Sequence, residues 1–320
     1  MSNKLTDSTK GNRLREYQEV LLDMSLSAIS ALIAKTSIAP IERIKLLHQT
    51  QASNISVRTN KSKEMKGVWQ TASSIYNNEG LLSFWRGNSA TLLKYIPLQT
   101  LNFTFHSKLK RMFPKYDQNT NPWKMLLANL VKGALAGVMS ISIVYPLDTI
   151  RTKMAADLGK DSSTREFIGL LDATKKIYSR GGITSFYTGY MLSLLGTAIY
   201  RGFYFGIYET AMKQKVHDET NWRLMYSFAF AQLSTNFSGM IVYPIDTIRR
   251  NLVVQAAKSD IDRKVVHDRG FVECARRIYS ERGVKGLYAG CLINIIRGSG
   301  SSLVMVLYDN LKKATNVGHH

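Results

Sequence analysis

Pro40-Ile41-Glu42-Arg43-Ile44-Lys45 decides how this chain is read, because the same pattern returns twice, as Pro146-Leu147-Asp148-Thr149-Ile150-Arg151 and Pro244-Ile245-Asp246-Thr247-Ile248-Arg249. Each copy is a proline, an acid two residues on, and a base three after that. The prolines lie 106 and 98 residues apart. A second string follows each copy: Glu79-Gly80 to Trp85-Arg86-Gly87, Gly181-Gly182 to Tyr187-Thr188-Gly189, and Arg282-Gly283 to Tyr288-Ala289-Gly290. From proline to closing glycine the distances are 47, 43 and 46 residues. A single match would carry little. Three in register indicate an internal repeat of about 100 residues.

Each repeat reads as two long apolar helices with a shorter amphipathic one between them. The odd spans lead into the prolines, over Leu21–Ile38, Leu126–Tyr145 and Leu224–Tyr243. The even spans start at the glycines, over Gly87–Phe105, Gly189–Tyr208 and Gly290–Tyr308. Each has about the 20 residues that a bilayer requires. Between them, Met65–Tyr76, Arg165–Tyr178 and Gly270–Tyr279 suit helices lying at a membrane surface. Small residues, Gly133 with Gly137 and Ser27 with Ala31, are expected to let neighbouring spans approach. A mean hydropathy of −0.13 is low for six spans and implies that each has one polar face, as around a water-filled cavity.

Proline inside a span removes a backbone hydrogen bond and kinks the helix. A charge at that depth costs about 2.5–3.5 kcal/mol on insertion scales, so the acids and bases should face inward and be paired. Three kinked helices about a pseudo-threefold axis would bring them to one constriction. The pairs expected are Glu42–Arg151, Asp148–Arg249 and Asp246–Lys45, with Gln49, one turn beyond Lys45, bracing a pair. Such a ring can close a pore and reopen.

The chain holds 43 Lys+Arg against 23 Asp+Glu, a formal charge of +20. That excess points to an anionic partner. Nucleic-acid binders concentrate such charge in exposed runs. Here the bases are scattered, several of them singly inside apolar stretches, which favours a small anion or a lipid headgroup. Seven residues after the glycine that opens each even span stand Lys94, Gly196 and Arg297, and Lys35 lies five before Pro40. A cavity lined by Lys35, Lys94 and Arg297 would suit a phosphate-bearing substrate. Tyr200, beside Arg201, offers a ring face for a base, and Gly196 lets a flat group approach. Bases at span ends, such as Arg86, are expected to snorkel to headgroups. Helix starts at Gly87, Gly189 and Gly290 can receive anionic phospholipid, with cardiolipin the candidate lipid.

Cys274 and Cys291 form neither a disulfide framework nor a metal-ligand spacing and read as inert thiols. No nucleophile–base set or metal cluster stands out, so neither an enzyme nor a cofactor is expected. Residues 1–16 form a polar tail, without a secretory signal or transit-peptide character. The repeats are set at 17–114, 122–215 and 221–314.

These strings resemble the signature of the mitochondrial carrier family over nearly the whole chain. The resemblance is closest to its ADP/ATP carriers, through Ala34-Lys35-Thr36, Phe84-Trp85-Arg86-Gly87-Asn88, Leu101-Asn102-Phe103, Thr164-Arg165-Glu166-Phe167, Tyr200-Arg201 and Leu307-Tyr308-Asp309. It implies an all-α membrane protein: three tandem repeats, each of two transmembrane helices plus one short matrix helix, in a six-helix pseudo-threefold barrel. It further implies multi-pass insertion in the mitochondrial inner membrane and exchange of ADP for ATP by alternating access. The family's substrate positions carry over onto Lys35, Lys94, Gly196, Thr197, Tyr200 and Arg297.

The sequence departs from the family at several points. ADP/ATP carriers have an Arg-Arg-Arg-Met-Met-Met string where this chain has Arg249-Arg250-Asn251-Leu252-Val253-Val254, keeping only Arg249 and Arg250 of the nucleotide motif. Lys94 replaces an arginine. A second, cytoplasmic ring keeps acid and base only in the third repeat, as Asp309 and Lys312. Ser107 stands in the acid's place in the first repeat and Met212 in the base's place in the second. These losses motivate the other expectation for this chain, a carrier-fold structural subunit of a respiratory or other inner-membrane assembly.

Overall fold

The computed structural model describes residues 28–54, 67–114, 122–158, 165–215, 222–256 and 268–298. They fall in two units, a large one within 39–298 and a small one whose described part is 28–38. Described residues form helices and turns, with no strand among them. Helical backbone covers 28–50 (α1), with its 28–38 stretch in the small unit. The helices that follow are Val68–Glu79 (α2), Asn88–Met112 (α3), Pro122–Ala156 (α4), Leu170–Gly181 (α5), Tyr190–Lys215 (α6), Trp222–Gln255 (α7), Phe271–Leu287 (α8) and Cys291–Gly298 (α9). Long, short, long therefore recurs in the first two repeats, and among the described residues the third shows the long and the shorter helix followed by the first eight residues of its last one.

The odd helices do not stop at the motif proline. Helix α4 spans 35 residues with Pro146 inside it, and α7 spans 34 with Pro244 inside it. Proline costs a helix one N–H and leaves the carbonyl four residues earlier without its partner. For Pro146 that carbonyl is Ser142 O, and the Tyr187 hydroxyl donates to it at 3.1 Å. The aromatic residue of the second string therefore compensates for the proline of the first.

The short helices are held by one repeated contact. Buried positions four apart, Thr71 and Ile75 on α2, Ala173 and Ile177 on α5, Cys274 and Ile278 on α8, form the inner face of each. The isoleucine two residues after the motif acid meets that face. Ile44 clusters with Ile75, Ile150 with Ala173 and Ile177, and Ile248 with Cys274 and Ile278. The residue after the motif acid ties the same long helix to the turn that follows each short helix: Thr149 Oγ1 donates to Phe186 O at 2.6 Å, Thr247 Oγ1 to Leu287 O at 2.8 Å, and Arg43 Nη1 to Ser83 O.

Two left-handed glycines punctuate each repeat. Gly80, Gly182 and Gly283 (φ 84°, 63° and 60°) end the short helix. Gly283 breaks α8 so that its last turn matches the 3-10 turns Leu81–Trp85 and Ile183–Tyr187. Gly87, Gly189 and Gly290 (φ 82°, 74° and 80°) open the even helices, against the ring-base residue of another repeat. A Cβ on Gly87 would lie 3.0 Å from Arg151 O, and one on Gly189 3.1 Å from Arg249 Cγ. One on Gly290 would lie 3.1 Å from the Tyr243 hydroxyl and 3.3 Å from Lys45 O. Left-handed backbone costs a side chain about 1–2 kcal/mol before any contact is counted. Gly290→Ala should therefore lower the melting temperature in detergent by several degrees, whereas Gly202→Ala, which meets no atom within 4 Å, should not.

Apolar residues line the outer faces of the long helices at intervals of about four. On α4 the exposed stripe is Leu127, Val131, Leu135, Met139 and Ile143, and on α7 it is Leu233, Phe237 and Met240. Stripes of this kind suit hydrocarbon rather than water. Among the described residues, Leu127–Ala156 is long and apolar enough to cross a membrane by length and composition alone. The Gly133–Gly137 notch is filled differently from the close helix crossing expected. Arg201 donates to Gly133 O, and a Cβ on Gly137 would lie 2.6 Å from its Nη2. The notch accepts a guanidinium.

Candidate functional site

All six residues of the proline–acid–base ring come together in the large unit, in the expected partnerships. Arg151 Nη2 meets Glu42 Oε2, Arg249 Nη2 meets Asp148 Oδ2, and Lys45 Nζ stands 3.5 Å from Asp246 Oδ2. Gln49 Nε2 donates to the third pair's acid at 3.3 Å and to Thr247 Oγ1 at 2.9 Å. Two bases also lie over the ring of the tyrosine that precedes a motif proline, Lys45 over Tyr243 at 5.1 Å and Arg249 over Tyr145 at 5.5 Å. The first copy has Ala39 at that place and no aromatic to offer.

Each ring acid has a second cation, which pairwise reasoning from the motif does not anticipate. Lys94 Nζ lies 2.6 Å from Asp148 Oδ1, Arg297 Nη1 3.4 Å from Glu42 Oε1, and Arg250 Nε 2.9 Å from Asp246 Oδ2. Lys94 and Arg297, expected to face an anion, thus also hold carboxylates of the ring in this state. Two cations on one half-buried carboxylate exceed what charge balance needs.

Beside the ring lies a cavity of about 270 Å³. It is lined by Gly196, Thr197, Tyr200 and Arg297 of the candidate set, by Lys45, Asp246, Arg249 and Arg250, and by Asn294 among others. Four cations face one carboxylate there. Tyr200 stacks on Tyr204, with centroids 6.1 Å apart and planes 10° apart, presenting an aromatic step at the cavity wall. Gly196 is small for a second reason, since a Cβ there would lie 3.1 Å from Val242 Cγ1. Lys94 is not part of this lining. Lys35 is half-buried on α1 in the small unit. Asp309 and Lys312 lie outside the described residues, as does Ser27.

Arg86 does not snorkel. Its guanidinium meets Glu79 Oε2 at 2.9 Å and Asp157 Oδ2 at 2.7 Å, and it is largely buried. Arg43, 1% exposed, meets the same Glu79 oxygen at 2.8 Å and donates to Ala155 O at 3.4 Å. This trio explains why the second string carries its acid only in the first repeat. Where Arg43 becomes Thr149 and Thr247, and Arg86 becomes Thr188 and Ala289, no buried base needs an acid, and Gly181 and Arg282 stand in Glu79's place.

The third repeat is tied to the first by a different network. Arg277 donates to Ala52 O at 2.7 Å and pairs with Asp268 at 2.8 Å, while Gln255 Nε2 bridges Ser53 Oγ and Asp268. Burial alone would raise the Asp268 carboxyl, but hydrogen bonds from Arg277 and Gln255 outweigh it and hold the group below the ordinary carboxylate range. Burial, with Asp268 nearby, pushes the Cys274 thiol up to about 12, so it stays protonated and unreactive.

A family model described as mitochondrial carrier protein matches residues 17–117, 122–219 and 221–317. The chain is 40% identical over 294 residues to the ADP,ATP carrier protein of Parachlorella kessleri, covering 92% of this chain and 85% of that one. It is 41% identical over 292 residues to ADP/ATP translocase 3 of Bos taurus and to that of Homo sapiens, in each case covering 91% of this chain and 96% of the relative.

Proposed function

Because the chain belongs to the mitochondrial carrier family, we propose that it is a multi-pass antiporter of the mitochondrial inner membrane that exchanges ADP for ATP by alternating access. The observation that carries this reading is the cavity, which brings Gly196, Thr197, Tyr200 and Arg297 against Arg249, Arg250 and Lys45. Four cations around one carboxylate select for an anion of several charges. At about 270 Å³ the cavity sits just below the usual range for ligand pockets, about 300–1,000 Å³, and fits the phosphate end of a nucleotide better than the whole of it.

In this reading the ring Glu42–Arg151, Asp148–Arg249 and Asp246–Lys45, braced by Gln49, is the matrix gate, closed in this state. Phosphate oxygens take up Arg297 and Lys94, whose cations otherwise serve the gate acids, while for Lys35, in the small unit, the substrate role rests on the family resemblance alone. Tyr200, with Gly196 and Thr197, receives the base, while Arg249 and Arg250 link substrate to gate. On the cytoplasmic side, where only the third repeat keeps both acid and base, as Asp309 and Lys312, the ring closes the path less firmly than a complete one would. The equilibrium then leans away from the state closed on that side. Cardiolipin is assigned to the glycine-opened helix starts of α3, α6 and α9 as structural lipid, beside the exposed apolar faces of the short helices.

A second reading, a carrier-fold subunit retained in a larger inner-membrane assembly, is favoured by one observation, the replacement of two outer-ring residues by Ser107 and Met212. Purified protein separates the two. The transport reading expects ADP and ATP to raise the melting temperature by several degrees where inorganic phosphate and coenzyme A do not. No shift with either nucleotide, together with co-purification with a respiratory complex at fixed stoichiometry, would favour the second.

A further inference from the structure

We propose that Asn294 is the positioning residue that joins the anion-facing Arg297 to the ring base Lys45. This rests on the transport reading above for what the joint does, though its geometry stands apart from any substrate. One atom, Asn294 Oδ1, accepts from Lys45 Nζ at 2.9 Å and from Arg297 Nη2 and Nε at 3.2 and 3.3 Å. Each cation's own carboxylate is farther away: Lys45 stands 3.5 Å from Asp246, and Arg297 3.4 Å from Glu42. The amide is thus the nearest acceptor of both. Lys45 is 5% exposed, so losing that acceptor leaves a desolvated ammonium with one distant carboxylate. Gly239 of α7 faces the amide, where a Cβ would stand in ordinary contact, 3.6 Å from Asn294 Nδ2.

The corresponding residues of the other repeats, four after the opening glycine, are Thr91 and Ser193, which carry no amide. Thr91 instead turns its hydroxyl to Gly87 O at 3.2 Å. In the first repeat the anion-facing cation needs no joint, since Lys94 contacts its ring acid directly at 2.6 Å. In the third, Arg297 reaches the Lys45–Asp246 pair through a shared oxygen. An anion that draws the guanidinium off Oδ1 changes the acceptor available to Lys45, and a Lys45 that leaves Asp246 changes what Arg297 can offer an anion. A ligand shifts a conformational equilibrium only through contacts that differ between its states. Asn294 is where the ligand contact and the ring contact share an atom.

Full-length protein reconstituted in liposomes tests this with two substitutions. Asn294→Ala should lower ADP/ATP exchange turnover about tenfold while KM for ADP stays within about threefold, because phosphate still meets Arg297 but the ring base is no longer informed. Asn294→Asp keeps Oδ1 and adds charge, so it should also slow turnover yet raise the melting temperature by holding both cations. Loss of packing alone would not split the two variants in this way. Wild-type turnover in Asn294→Ala, or a rise in KM that accounts for its whole loss, overturns the proposal. A second arm needs no nucleotide. Losses of melting temperature in ligand-free Asn294→Ala, Arg297→Ala and the double variant should be less than additive, as for residues sharing a partner. Additive losses overturn the joint. A wild-type chain that exchanges no nucleotide sinks only the transport reading, and the second arm still decides Asn294.

Discussion

Asp148→Lys should reduce exchange to below about one hundredth of the wild-type rate, and adding Arg249→Asp should restore part of it. Asp148 holds a cation on each oxygen, Arg249 on one and Lys94 at 2.6 Å on the other. Reversal sets a third cation between two that are already largely shielded from water. Removing one partner of a buried pair costs about 3–5 kcal/mol, and repulsion adds to that. At about 1.4 kcal/mol per factor of ten, a population shift against the closed ring of this size accounts for the loss. The double variant recreates one opposite-charge contact in reverse. It leaves Lys94 facing the introduced ammonium, so recovery should stop well short of wild type, at about a tenth. Adding Lys94→Gln should carry it further. Equal loss in the single and double variants, measured by uptake into ADP-loaded liposomes, would count against the pairing.

Arg297→Ala is expected to raise KM for ADP about 30- to 4,000-fold and to erase the ADP-induced thermal shift. The guanidinium lines the cavity and is partly exposed toward it. Truncating one member of a desolvated charged contact costs about 2–5 kcal/mol, which gives that range. Arg297→Lys should recover only part of the affinity, because an ammonium cannot grip two phosphate oxygens in a fixed fork. Its effect on the ring should be smaller, since the contact to Glu42 is long and Arg151 remains there. An unchanged KM with lowered turnover would instead assign Arg297 to the gate.

The repeat, the helix order and the three ring pairs can be read directly from sequence. Period and spacing are local properties: a proline at a fixed offset from an acid and a base, three times, fixes which turn each charge occupies. Thr197 and Tyr200 likewise fall one and four residues from Gly196 and share the cavity with it. What cannot be read is how far long side chains reach between helices. Arg86 sits at a span end, where charge usually turns to headgroups, yet it turns inward because Glu79 and Asp157 converge on it. Lys94 looks solitary in its own helix and finds Asp148 on another. Asn294 carries no charge and matches no motif, so nothing in the sequence marks it, although it stands three residues before Arg297 on the same face of α9.

The missing acids of the second string teach a similar lesson. Read by themselves, Gly181 and Arg282 look like decay of a motif. Beside Thr149 and Thr247, which replace Arg43, they are the consistent result of removing the buried base that an acid would neutralise. The third repeat uses its arginine elsewhere, with Arg277 binding Asp268 and the 51–53 turn. Departure from threefold symmetry therefore tracks local charge balance.

The central claim, that this cavity and ring exchange adenine nucleotides, is tested most directly by labelled ATP uptake into liposomes holding the purified full-length chain. Uptake should require internal ADP, fall away when the liposomes hold only buffer, and disappear in Arg297→Ala. Folded wild-type protein that takes up no ATP against internal ADP would contradict it.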